Sequence, residues 1–239
     1  MGVRVLKKSV CLLASVAAVA LLATAARADG YWPQSTARTQ GPLPWTGPYV
    51  GLNLGYAWHE VAGIYDNSGN PTDLSGTEPN GAIVGGQIGY NYRMNWFLMG
   101  VEFDADTGIN SSSIIDGANG AQIKGSLGYL ASARGRLGVL WNNVLFYGTA
   151  GVGAARYNFT EVIGGFVGEQ RLKDTAAVYG GGLEWMVAYG VSLRTEYLRY
   201  DMDDAANLAP GFPGVDPGDF VRFHDVDVVR AGVNVRLAP

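Results

Sequence analysis

The stretch DVVRAGVNVRLAP, Asp227–Pro239, alternates almost without a break. Val229, Ala231, Val233, Val235 and Leu237 form one face; Arg230, Gly232, Asn234 and Arg236 form the other. A period of two over this length marks a β-strand that meets a different environment on each side. Small and branched apolar residues opposite two arginines suit a strand of a transmembrane barrel, with lipid outside and a polar lumen inside. Such a strand has to pair with the first strand of the chain to close the sheet. Seven more like it are expected.

The chain supplies them. The first, from Gly47 to Trp58, sets Val50, Leu52, Leu54, Tyr56 and Trp58 against Tyr49, Gly51, Asn53, Gly55 and Ala57. The second, Ala82–Tyr92, turns Val84, Ile88, Tyr90 and Tyr92 one way and Gln87 and Asn91 the other. In the third, Trp96–Asp106, Phe97, Met99, Val101 and Phe103 oppose Glu102, Asp104 and Asp106. The fourth, Lys124–Leu140, opposes Tyr129, Ala131, Leu137 and Val139 to Ser132, Arg134 and Arg136. The fifth, Val144–Tyr157, faces Val144, Phe146, Ala150 and Val152 outward and Tyr147 and Thr149 inward. The sixth, Thr175–Val187, sets Tyr179, Leu183 and Trp185 against Glu184; the seventh, Val191–Tyr200, sets Leu193, Thr195 and Tyr197 against Arg194 and Glu196.

Connections alternate in length. His59–Pro79, Asp106–Gln122, Thr160–Asp174 and Asp201–His224 read as long polar loops, whereas Arg93–Asn95, Trp141–Asn143 and Ala188–Gly190 read as short turns. Short turns on one side and long loops on the other are the outer-membrane pattern, with short turns and both termini in the periplasm. The fold class expected is all-β: an eight-stranded antiparallel up-and-down transmembrane β-barrel. A soluble barrel would reverse the polarity, with apolar residues inside.

The N-terminus agrees with export. Arg4, Lys7 and Lys8 precede an apolar run ending at Ala26-Arg27-Ala28, so residues 1–28 read as a cleaved secretory signal and 29–44 as a periplasmic linker. The single cysteine, Cys11, falls within that signal, which leaves disulfides no part. Of 17 basic residues four lie in the signal and none of the 21 acidic ones does, so the mature chain carries 13 against 21, or −8. That balance argues against nucleic acid as a partner. Beyond the signal no run reaches the roughly 18 apolar residues of a spanning helix. Glycine, at 35 of 239 residues, is about twice its usual share.

The candidate chemistry lies on the inward faces. Glu102, Asp104, Asp106, Glu184 and Glu196 are expected to meet Arg134, Arg136, Arg194, Arg230 and Arg236 inside a barrel just wide enough to be filled by side chains. Charges removed from water there have to pair. The network then reads as a salt-bridged filling of the lumen, with an ion pathway as the rival. His59 and His224 end the first strand and precede the last, so the closed barrel could bring them together as a metal or haem contact, with two solvated loop residues as the alternative. The aspartates of the fourth loop lack the spacing of an EF-hand: counting from Asp201, Ala206 holds the glycine position and Phe212 the final carboxylate position. Gly180-Gly181-Gly182 and Gly151-x-Gly153 are followed by no helix pattern and so are not phosphate loops. No serine–histidine–acid set lies on strands, and no enzyme or cofactor is expected.

Several segments together resemble a known family. Trp45-Thr46-Gly47-Pro48-Tyr49-Val50-Gly51 with Gly55-Tyr56 is similar to the first strand of the OmpA-like outer-membrane proteins of alphaproteobacteria, of the 25/31 kDa, porin-like type. Gly85–Asn91, Gly100-Val101-Glu102, Arg134–Gly138, Tyr147-Gly148-Thr149, Glu196-Tyr197-Leu198 and Val229–Asn234 resemble its later strands, in order. The resemblance implies a barrel that contributes to envelope integrity, with small-solute porin, haemin-binding or host-contact roles in some members. Outer-membrane lipids, lipopolysaccharide and the barrel-assembly machinery become the expected partners, and the oligomeric state stays open. No peptidoglycan-binding domain is expected beyond the last strand. It further implies an assembly signal in the final strand ending at an aromatic residue. Val233, Val235 and Leu237 hold those positions here, with leucine in place of the aromatic.

Overall fold

Alternating strands joined by tight turns and longer loops leave one low-energy way to bury the polar faces, and the chain takes it. The structure, a computed structural model, describes residues 44–59, 63–65, 68, 80–109, 112–116, 122–163, 166–202, 205–207, 220–222 and 225–237. The proposed signal and all of the linker except Pro44 lie outside the described residues.

The strands, in chain order, are β1 (Gly47–His59), β2 (Gly63–Tyr65), β3 (Gly81–Met94), β4 (Phe97–Ile109), β5 (Ser112–Asp116), β6 (Gln122–Trp141), β7 (Val144–Ile163), β8 (Phe166–Ala188), β9 (Val191–Asp201), β10 (Ala205–Asn207), β11 (Phe220–Arg222) and β12 (Val226–Arg236). Eight of them form a closed antiparallel barrel in the order β4-β3-β1-β12-β9-β8-β7-β6, with β6 returning to β4. The last strand is the seam. β12 pairs with β1 from Tyr49↔Arg236 to His59↔Val226, as its alternation required.

The register fixes the barrel's dimensions. Starting at Trp58, the row of paired residues runs through Asp227, Arg199, Tyr179, Ala150, Gly135, Val101 and Tyr90, and returns to β1 at Pro48. The row has slipped ten residues along the strand in one circuit. Ten residues at about 3.3 Å, over eight strand spacings of about 4.8 Å, give a tilt of about 41°. A barrel of this size has an interior that side chains can fill.

Three turns close one end. Asn95, Asn142 and Gly190 adopt left-handed backbone there, with φ of 54°, 55° and 77°. Asparagine and glycine tolerate that conformation and so permit two-residue hairpins.

The loop end departs from expectation. Thr160–Asp174 is not an irregular loop: β7 and β8 continue pairing up to Ile163↔Phe166. β5 likewise pairs with β6 inside the expected loop 106–122. Segments of the first and fourth loops also meet, because β2, β11 and β10 make a separate three-stranded sheet. Above the bilayer neither face of a strand has to be apolar, so the alternation that reveals a strand disappears while backbone pairing persists.

Candidate functional site

Each membrane strand puts alternate residues into the lumen, and those inward positions hold all ten expected charges. Glu102, Arg136, Arg194, Glu184, Glu196 and Arg230 are at most 2% exposed, and Asp104, Asp106, Arg134 and Arg236 are buried with them. The register sets several opposite charges directly across from one another: Glu102↔Arg134, Glu184↔Arg194 and Glu196↔Arg230. Pairing then spreads well beyond these neighbours. Arg134 lies 2.6 Å from Glu102, 2.9 Å from Asp104 and 3.1 Å from Glu196. Arg230 reaches Asp106 at 2.7 Å and Asp104 and Glu196 at 2.8 Å. Arg194 binds Glu102 at 2.6 Å. Arg136 joins this upper group to a lower one, at 3.4 Å from Glu102 and 2.8 Å from Glu184, and Arg236 also reaches Glu184, at 3.3 Å.

Five carboxylates and five guanidiniums balance. A buried ion repays its desolvation only when its remaining hydrogen-bonding capacity is also met. Neutral groups meet part of it here. The Tyr49 hydroxyl donates to Glu102 at 2.6 Å and that of Tyr147 to Glu196 at 3.0 Å. Ser132 donates to Asp104 and Ser192 to Glu184, both at 2.5 Å. The Arg136 guanidinium stacks 4.0 Å from the centre of the Tyr147 ring. Glycine makes room for both tyrosines. A Cβ on Gly89 would strike the Tyr49 hydroxyl, and one on Gly182 would lie 2.9 Å from that of Tyr147.

Beside this network, β1, β3 and β12 also carry amides. Asn53 donates to Gln87, and Gln87 to Asn234, each at 2.8 Å. These amides, both tyrosines and both serines were absent from the sequence-derived set of ten. Their inward parity was the available signal.

The lumen is polar only across its middle. Toward the turns, Trp45, Leu98, Leu140, Leu145, Tyr147 and Met186 pack as one buried cluster. Toward the loops a second cluster includes Ile83, Leu130, Tyr157, Leu198, Tyr200 and Val228. The polar lumen expected from the alternation is thus confined to the middle of the barrel. Inward positions at both ends are apolar.

The other candidate residues fall partly outside the described residues. His59 ends β1 with its side chain outside the described set, and His224 lies outside the described residues, so the suggested metal or haem contact is not placed. Of the aspartates in the fourth loop, Asp203, Asp204, Asp216 and Asp219 are likewise outside them. Among the described residues no cluster of three or more histidine, cysteine or acidic side chains is arranged to hold a metal. Val233, Val235 and Leu237 fall on the outward face of the terminal strand, and the Leu237 amide donates to Pro48 O at 3.0 Å.

Known proteins show where such a barrel occurs. The family described as "Outer membrane protein beta-barrel domain" matches residues 12–236. A 31 kDa outer-membrane immunogenic protein of Brucella melitensis is 29% identical over 216 residues, covering 80% of this chain and 86% of that protein. A 22 kDa outer membrane protein of Rhizobium leguminosarum bv. viciae is 28% identical over 200 residues, covering 83% and 82%. Among solved structures, Ail, the attachment invasion locus protein of Yersinia pestis, aligns at 16% identity with a TM-score of 0.42, over 80% of this chain and 99% of its own.

Proposed function

The chain belongs to the outer membrane protein β-barrel family, and from that premise we propose that it is a structural component of the outer membrane whose lumen is filled rather than conducting. One observation carries the reading: ten charged side chains, balanced in sign and removed from water, lie between two apolar layers in the same lumen. Moving a solute through would require breaking several multiply bonded ion pairs and parting both apolar layers. The role is non-catalytic, because the lumen carboxylates are committed to arginines and hydroxyls rather than poised on a substrate. Insertion by the barrel-assembly machinery through the outward residues of β12 belongs to the same proposal.

Small-solute permeation is the rival, and liposome swelling separates the two. Vesicles containing the folded protein are expected to swell in isotonic arabinose at the rate of protein-free vesicles. Swelling that rises with protein content and falls with sugar size would make the protein a porin.

A further inference from the structure

We propose that the upper edge of β8 pairs with the same edge of a second copy of this chain, held in an opposing membrane. β8 has a neighbour on both sides for only part of its length. On one side it pairs with β7 from Trp185 up to Phe166. On the other, β9 leaves it at Ala177↔Asp201. Along Phe166–Lys173 no strand pairs with that second edge among the described residues. Beyond β7 the same wall continues through β6 and β5, so four strands rise together above the rim.

Eight residues of unpaired edge, about 26 Å long, are a template for another strand. Charges at the rim below are already paired within the chain: Arg199 is taken up by Asp225 and, at 3.5 Å, by Asp227.

Charge picks the occupant and its direction. The edge reads Phe166-Val167-Gly168-Glu169-Gln170-Arg171-Leu172-Lys173. Two copies laid antiparallel about Gln170 set Glu169 opposite the partner's Arg171, and Arg171 opposite the partner's Glu169. Opposite charges at directly opposed positions stabilise a strand pair. Centring the pair on Arg171 instead would set that arginine against itself, and centring it on Leu172 would set Arg171 against the partner's Lys173. A parallel pair would bring each charge level with its own like.

The antiparallel arrangement is isologous, with one two-fold axis at Gln170. It also fixes where the partner sits. β8 runs from Phe166 at the loop end down to Ala188 at the turn end, so the partner's β8 runs the opposite way, toward a bilayer on the far side. Ala177 lies seven residues from Gln170 in each copy. The two rims are then separated by at most about 46 Å along the strands. The edge stands outside the lumen, and the pairing is independent of whether the lumen conducts.

The test is tethering of phosphatidylcholine vesicles that carry the folded protein, read by turbidity and by energy transfer between donor-labelled and acceptor-labelled vesicles. Wild-type vesicles are expected to tether one another but not protein-free vesicles. Glu169→Arg and Arg171→Glu should each lower tethering to the protein-free level, because each sets like charges opposite one another. Vesicles of the first variant mixed with vesicles of the second should tether again, since their edges are then complementary. The double variant Glu169→Arg, Arg171→Glu should tether to itself. The heat-modifiable gel mobility of a folded barrel checks that each variant is intact. Wild-type vesicles that stay apart, single variants that tether like the wild type, or a mixture that fails to recover would overturn the proposal. So would capture of protein-free vesicles, which would assign the edge to lipid, or a dimer in detergent without tethering, which would place both copies in one membrane. Sugar-dependent swelling of the vesicles would count against the filled lumen and leave this pairing untouched.

Discussion

Arg230 and Leu98 are both fully buried inside the same barrel, but burying them has very different consequences. Leu98 gains by leaving water. Arg230 loses its hydration and is compensated by Asp104, Asp106 and Glu196, with Glu102 at 3.7 Å. By energy alone an apolar middle would serve as well as the ionic one, since apolar replacements of buried ion pairs are often neutral or stabilising. The difference lies in what each region specifies. Leu98 sits between Phe97 and Met99, and a one-residue slip would exchange one apolar face for another. Glu102 sits between Val101 and Phe103, and the same slip would drive a carboxylate into lipid. On the proposed reading, the ionic middle sets register and sidedness, and the apolar ends keep water out.

This contrast can be broken in graded ways. The largest effect is expected from Glu196→Ala, which takes one carboxylate partner from each of Arg134, Arg194 and Arg230, leaves the network one negative charge short and removes the acceptor of Tyr147. Leaving buried charge uncompensated costs about 3–5 kcal/mol, read as a lowered urea midpoint for refolding in micelles. Adding Arg230→Ala to that variant should recover part of the loss, because the two positions are directly coupled. Strict additivity would mean that the network is a set of independent pairs. Leu98→Ala should cost somewhat less, about 2–4 kcal/mol from lost burial and the cavity left behind, with no fall in the fraction that folds in register. Gln87→Ala breaks the amide chain between Asn53 and Asn234 and should cost about 1–2 kcal/mol. Arg199→Ala, at a half-exposed rim pair, should change the midpoint by less than about 1 kcal/mol. An Arg199 effect as large as that of Glu196 would erase the distinction between lumen and rim.

The same contrast explains what could be read from the sequence. Glu102, Asp104 and Asp106 announce their face because Val101, Phe103 and Ala105 separate them. The eight strands, the seam and the inward charges all follow from such alternation. Leu98, Leu140 and Leu145 lie in continuous apolar runs, where parity has no contrast, and so the apolar ends of the lumen were hidden. The pairing pattern was hidden too. Which arginine meets which acid depends on the ten-residue slip of the closed sheet, a property that no single strand carries. The upper β7–β8 hairpin was missed for the opposite reason: between Thr160 and Asp174 the sequence carries no sustained apolar–polar alternation, and the backbone pairs without it.

The central claim is that ion pairs and apolar layers together fill the lumen, and planar-bilayer recording tests it most directly. Reconstituted wild-type protein is expected to show no sustained conductance in 1 M KCl, while a variant combining Glu196→Ala and Trp45→Ala, if it folds, shows current. Stable, discrete channels in the wild type would contradict the account.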